Sequence, residues 1–462
     1  MNPVFRTVRE LSEAVRTRQV SPVALAETFL DRLERLGPRY NAVVTLMPER
    51  ALRQAREAER ELANGHWRGP LHGIPYGAKD LLAATGAPTT WGAAPLRAQT
   101  FEADATVIRR LEAAGAILVA KLAMVELAGG MGYRQPNASF TGPGISPWGA
   151  DAWSGGSSSG SGAAVAAGLV PFAIGSETWG SILSPAANCG VTGFRPTYGR
   201  VSRHGAMALC WTLDKLGPLA LSADDCGLVL AAIAGPDPHD PSAADRPFAY
   251  DAGDPTARRF RFGVLRGVAD GAEPAVREAF ARSLDTLAKI GAVEEITPAE
   301  LPYEAVTRTI LFAEAASAFE DMIESGAITG LTAPEDHYSA YARDAILAKD
   351  YIKALRLRAL VMREADRLLA RVDALVGPSR SGVATPLDRE FRTAAPVTGD
   401  TMGAIGNGAG LPAVAVPNGF SDAGLPTSLQ FMGRAWEDNT VLAAGRAWQA
   451  ITDWHLKRPP VD

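Results

Sequence analysis

Serine and lysine are the residues in this chain whose types and spacing can do chemistry. Lys79 closes the segment Gly73-Ile-Pro-Tyr-Gly-Ala-Lys79 and is followed by Asp80. Ser157 lies within Ser154-Gly-Gly-Ser157-Ser-Ser-Gly-Ser161-Gly, and Ser181 within Gly175-Ser-Glu-Thr-Trp-Gly-Ser181-Ile-Leu-Ser-Pro-Ala. A serine hydroxyl is a poor nucleophile until a base takes its proton. The six histidines (66, 72, 204, 239, 337 and 455) stand in no serine-hydrolase context, and no Gly-x-Ser-x-Gly elbow is present. A lysine is then the available base, provided burial lowers its pKa from about 10.4 toward neutrality. Glycine beside Ser181 would leave backbone N–H groups free to face a developing oxyanion, and a serine of the second segment can relay a proton. Each segment alone has a plainer reading: a flexible Gly/Ser turn, a surface lysine. The Gly/Ser run matches neither a P-loop nor a dinucleotide fingerprint.

The elements that must position these side chains alternate in type. Thr7 caps a helix through Leu11 and Val15. Ser21-Pro22 starts another, with Leu25, Phe29, Leu33 and Leu36 at helical spacing up to Gly37-Pro38. A strand is expected from Asn41 to Leu46 and a helix from Glu49 to Ala63. From residue 70 strands and helices alternate: a strand up to Lys79, a helix over Ala105–Ala114, a strand over Ala116–Ala120. A long loop of Gly, Ser, Pro and Asn runs from Gly129 to Ser161, and loops of that length are more often functional than idle. A helix from Ala163, a strand over Val170–Gly175 and a tight glycine-containing segment over Thr178–Gly190 follow. Residues 300–372 read as mostly helical, with one long run from His337 to Val372. Asp373–Val376, Leu411–Val416 and Pro426–Phe431 read as strands, and Thr440–Ile451 as a terminal helix. The alternation implies an α/β architecture.

Composition narrows the function. Apolar residues make up 47% and charged residues 21% of 462, with net charge −5, which gives no electrostatic reason to expect nucleic acid or an anionic membrane as partner. Three cysteines, 189, 210 and 226, without a paired motif argue against a disulfide framework or structural zinc, and Cys189 and Cys210 read as buried hydrophobes. No signal-peptide pattern opens the sequence, and the apolar stretch Ala163–Ile174 is too short to span a bilayer. A cytoplasmic location is expected.

Taken together, GGSSSGSGAAVAAGLVPFAIGSETWGSILSPAANCGVTGFRPTYGRVSRHG resembles the signature of the amidase-signature family, and the likeness runs from about residue 8 to about residue 450. The resemblance implies a single α/β domain over 1–462, a central twisted mixed sheet wrapped by helices. Within it lie a helical N-terminal segment (1–65), a catalytic core (70–220) and a variable helical pocket cover (300–345). Length alone would have suggested two or more domains. The resemblance also implies a catalytic triad of Lys79, Ser157 and Ser181, a cis Gly156–Ser157 peptide held by flanking residues such as Ser158, and an oxyanion hole from the N–H groups of Thr178, Trp179, Gly180 and Ser181. It implies no metal and no organic cofactor, and a monomer or homodimer acting on a small-molecule amide or carbamate. Met131 and Gly132 fall where the family lines its acyl pocket.

The sequence departs from the family pattern next to the nucleophile position. Trp179 replaces a glycine, Leu183 an arginine and Ser159 a glycine. Trp179 fits either a pocket wall or a core filler. The expected activity is hydrolysis of amides, anilides or carbamates. The alternative is the A subunit of a tRNA-dependent amidotransferase, whose glutamine-holding positions match Arg358 and Asp400; as plain structure these are a solvated helix arginine and a loop aspartate. A non-catalytic anion-binding protein is the third reading. His204 is expected to be structural.

Overall fold

The computed structural model describes residues 2–339, 341–391 and 399–461. Among them runs an eleven-stranded mixed sheet in the order β1-β3-β2-β4-β6-β5-β10-β11-β9-β7-β8. The strands are β1 Val43–Leu46, β2 Pro75–Lys79, β3 Ile117–Leu122, β4 Phe172–Glu177, β5 Thr192–Arg195, β6 Lys215–Ala220, β7 Phe260–Leu265, β8 Gly291–Ile296, β9 Ala374–Pro378, β10 Ala413–Phe420 and β11 Pro426–Met432. One continuous sheet with helices packed around it makes a single α/β domain, as the resemblance implied.

The N-terminal helices begin where the sequence caps them. Thr7 and Glu10 form a reciprocal capping box for Val8–Arg16, and the Ser21 side chain accepts from Val23 and Ala24 N–H at the start of Pro22–Leu36. β3, β2 and β4 lie parallel and side by side, with Ala78 opposite both Lys121 and Ile174. Their carboxyl ends therefore come together, which is where open α/β sheets place ligands. Every residue of β2, β3 and β4 is buried, which explains their near-continuous apolar runs.

Helix Ser159–Ala166 begins four residues earlier than its sequence pattern indicated and is buried on all sides. Its small residues permit the contact: a Cβ on Gly160 would stand 2.5 Å from Ala123 N and closer still to Ala42 O. The segment read as a tight turn over Thr178–Gly190 contains a helix, Leu183–Cys189, ended by Gly190 in the left-handed region. The long run from His337 is broken into Asp336–Ser339, Tyr341–Asp344 and Ala348–Leu369. Arg343 turns inward there, with Cζ 4.5 Å from the Phe312 ring, a tertiary contact that local periodicity does not encode. All three cysteines are free and buried. Cys210 is not in purely apolar surroundings, since its thiol donates to Glu314 Oε2 at 3.1 Å. Among the described residues no helix is long and apolar enough to cross a membrane.

The Gly160 contact is with backbone, so neither side can yield cheaply. Gly160→Ala is expected to lower stability by about 1–3 kcal/mol, read as a lowered urea midpoint with unchanged slope. An unchanged midpoint would contradict this packing.

Candidate active site

Lys79 ends β2 and Ser176 lies near the end of β4, so the parallel pairing brings both to one edge of the sheet. Lys79 Nζ is 2.7 Å from Ser157 Oγ and 2.9 Å from Ser176 Oγ. The lysine is wholly buried. Burial pushes its pKa down to about 7 against the opposing pull of Asp214 and Glu177. Asp80, next in sequence, does not serve it. Successive strand side chains point to opposite faces, and Asp80 Oδ1 lies 2.8 Å from Lys121 Nζ.

Ser157 is held by its loop. The Gly156–Ser157 peptide is cis, and Ser157 O accepts from Val125 N–H at 3.0 Å. The Ser158 Oγ accepts from Ser176 N–H at 3.3 Å and donates to Ser176 O at 3.2 Å. The Ser158 N–H also donates to Ser181 O at 3.3 Å, which sets the second and third segments side by side. Among the described residues, Ser157 and Ser181 share no side-chain hydrogen bond. Catalytic hydrogen bonds of substrate-free enzymes are often long and tighten in the complex.

The turn carrying Ser181 is fixed by Glu177. Its Oε2 accepts from Ile182 and Leu183 N–H at 2.9 and 3.0 Å, and its Oε1 receives Arg195 Nη1 at 2.7 Å. Burial works to raise the Glu177 pKa, but the Arg195 and Lys215 charges and these hydrogen bonds hold it below the usual value. Thr178 is anchored twice, by its hydroxyl on Asp214 Oδ1 at 2.5 Å and by Lys215 Nζ on its carbonyl at 3.3 Å. Gly180 has φ +85°, and open space lies over it. Among the described residues no protein acceptor takes the N–H groups of Thr178, Trp179, Gly180 or Ser181.

The remaining candidates divide. The Trp179 indole, half-buried, donates to Asp400 Oδ2 at 2.7 Å, and Arg308 Cζ lies 5.5 Å from its ring. Trp179 thus lies beside Ser181 at a surface rather than filling the core. Asp400 also caps helix Thr401–Gly408 by accepting from Gly403 N–H at 2.9 Å. Arg358 is not a solvated side chain: it is half-buried and donates to Gly408 O at 2.7 Å and Thr212 O at 2.8 Å. Met131 is wholly buried, so it acts only by packing behind a wall, and Gly132 backs onto Arg343. His204 stacks on His239 at 4.8 Å, and both rings line a cavity against Ser176 and Thr178. This cavity of about 490 Å³ is also walled in part by Leu81, Met207, Leu209 and Trp211. Ser176 was not singled out from the sequence, although it lies inside the third segment.

The chain resembles known proteins along nearly its whole length. The family described as Amidase matches residues 24–442. The AmiD protein of Mycobacterium tuberculosis is 37% identical, covering 98% of this chain and 95% of that one. The A subunit of the glutamyl-tRNA(Gln) amidotransferase of Moorella thermoacetica is 35% identical over 99% of each. Among solved structures, the peptide amidase of Stenotrophomonas maltophilia superposes with TM-score 0.85 at 32% identity, covering 99% of this chain and 98% of that one. A chain of a vestigial protein complex bearing on the origins of an s-triazine catabolic enzyme superposes with TM-score 0.89 at 29% identity, over 96% and 98%.

The state of Lys79 has a measurable sign. Its folded pKa, about 7, lies below its value of about 10.4 in an unfolded chain. Between the two the unfolded chain holds more protons, so the lysine's contribution to stability grows with pH. Lys79→Met removes that slope. The stability of Lys79→Met relative to wild type is expected to be greatest near pH 6 and to fall between about pH 7 and pH 9, by roughly 1.4 kcal/mol per unit. Urea unfolding across that range reads it; a difference that is flat or rises with pH contradicts the buried amine.

Proposed function

The chain belongs to the amidase family, and from that footing we propose that it hydrolyses small-molecule amides through an acyl-enzyme on Ser181, with Ser157 as proton relay and Lys79 as base. The observation that carries this reading is a buried lysine, with no carboxylate in ion-pair contact among the described residues, 2.7 Å from a serine hydroxyl. A neutral amine there accepts the Ser157 proton while its own N–H donates to Ser176. Ser157 in turn takes the Ser181 proton as the Ser181 oxygen bonds to the substrate carbonyl carbon. The N–H groups of Thr178, Trp179, Gly180 and Ser181 would stabilise the oxyanion, each well-placed donor contributing about 3–4 kcal/mol. When the C–N bond breaks, the proton returns through Ser157 to the leaving nitrogen. Water then attacks the ester, releasing the carboxylic acid and restoring the Ser181 hydroxyl. Anilides and aryl carbamates fit the same sequence of steps, with Trp179 as a wall of the site.

The relatives named as amidotransferase A subunits support a second reading, in which glutamine is the amide and a partner protein receives ammonia. Against it, Arg358 is occupied by two backbone carbonyls and Asp400 by the Trp179 indole and a helix cap. A stand-alone monomer or homodimer acting on a small molecule, without nucleic acid, is the form we propose.

A screen of amides, anilides and aryl carbamates against wild type and variants tests this. Ser181→Ala and Lys79→Ala are expected to abolish turnover, and Ser157→Ala to leave a small residual rate. The wild-type kcat/KM is expected to rise through about pH 7 as Lys79 loses its proton. Wild-type rates in Lys79→Ala near neutral pH, or activity on glutamine alone, would defeat the assignment.

A further inference from the structure

Three buried arginines of this fold come with carboxylates. Arg50 pairs with Asp104, Arg195 with Glu177 and Arg200 with Asp438. Arg380, half-buried two residues beyond β9, does not. Among the described residues its one hydrogen bond is from Nη1 to Ser184 Oγ, at 2.6 Å, and it enters no ion pair. Its Nε is buried without an acceptor. Glu273 and Asp400 act on it only at longer range, and burial lowers its pKa. A half-buried cation with one donor shut off from water and unpaired is costly unless an anion meets it.

The position of Arg380 says where that anion would sit. Ser184 lies three residues beyond Ser181, and its N–H donates to Gly180 O at 2.7 Å, within the turn that Glu177 fixes. The guanidinium Cζ lies 6.0 Å from the Trp153 ring. Trp153 is 3% exposed, and its indole N–H is a second buried donor without an acceptor. The same ring walls the Ser157 loop: a Cβ on Gly156 would stand 2.9 Å from Trp153 Cζ2 and 3.3 Å from the Tyr133 hydroxyl. Two unsatisfied buried donors, from different parts of the chain, thus lie beside the segments that carry the two serines. Groups of this kind ordinarily have partners.

We propose that Arg380, with the Trp153 indole N–H, forms a carboxylate-binding subsite beside Ser181, so that the preferred substrate is a short amide that also bears a carboxylate. This rests on the amidase reading above and names its substrate class. A planar guanidinium suits a carboxylate better than any other side chain does. Because Ser184 stands about one helical turn from Ser181, the carboxylate lies a few bonds from the scissile carbonyl, as in the monoamides of short dicarboxylic acids. Arg380 is a specificity-determining residue in this scheme.

Binding to Ser181→Ala separates recognition from turnover. Malonamate, succinamate and glutaramate are each titrated calorimetrically against the corresponding neutral diamide. At least one monoamide anion is expected to bind tenfold or more tightly than its diamide. Adding Arg380→Gln is expected to reduce that ratio at least tenfold, Arg380→Lys to restore part of it, and Trp153→Phe, which keeps the ring and removes the N–H, to lower it separately. No preference for any of the three anions, or a ratio unchanged by Arg380→Gln and by Trp153→Phe, overturns the subsite. Fluorophosphonate labelling of wild type reports independently on Ser181: loss of labelling would sink the hydrolase reading, while the binding ratios still judge the subsite.

Discussion

An amine stripped of water, with no counter-ion in contact among the described residues, is the constraint around which this structure is arranged. Two lysines lie wholly buried on neighbouring parallel strands, Lys79 on β2 and Lys121 on β3. Both are disfavoured as cations by burial. Lys121 has Asp80 at 2.8 Å, and the Thr90 backbone N–H and hydroxyl complete that carboxylate's shell. Lys79 has two serine hydroxyls instead. The alternation of a β-strand produces this difference, because it turns the carboxylate beside Lys79 in sequence toward the other lysine. One lysine is thereby made a structural ion and the other a group that can shed its proton near neutrality.

The second half of the candidate site depends on a wholly buried carboxylate. Glu177 ends β4 and caps the turn behind it, so the turn that carries Ser181 is tied to the strand as well as to the Ser158 loop. Arg195 neutralises Glu177 and is itself anchored on Leu411 O at 3.0 Å, which links the turn to the entrance of β10. Lys215 ties the Thr178 carbonyl to Asn407, and Asp214 holds the Thr178 hydroxyl. A peptide with three or four free N–H groups is unstable by itself. Here a buried network of charges keeps it in shape from behind.

Much of this was legible in the residues. The Gly/Ser signature led to Lys79 and Ser157, which lie in hydrogen-bonding contact, and the capping residues Thr7 and Ser21 marked their helices. Ser176 was missed because its role comes from the pairing of β2 with β4, two strands almost a hundred residues apart that share no local pattern. The helix Leu183–Cys189 was missed for a related reason. Its first residues look like a turn, and its capping carboxylate, Glu177, lies upstream of Ile182, the residue just before the helix. Arg358 and Asp400 were recognised as positions, but not their partners, since backbone carbonyls and an indole leave no trace in sequence spacing. Arg380 had no motif at all. Its interest lies in what it lacks, which only coordinates can display.

The bond between Trp179 and Asp400 has a wider consequence. It joins the segment that carries Ser181 to the first turn of helix Thr401–Gly408, more than two hundred residues later in the chain, with Arg308 lying over the indole. Two parts far apart in the chain thus meet at one indole. Change in the helices around that indole can remodel the contact while Lys79 stays fixed on β2, so that a family with one sheet can diversify by changing only its doorway.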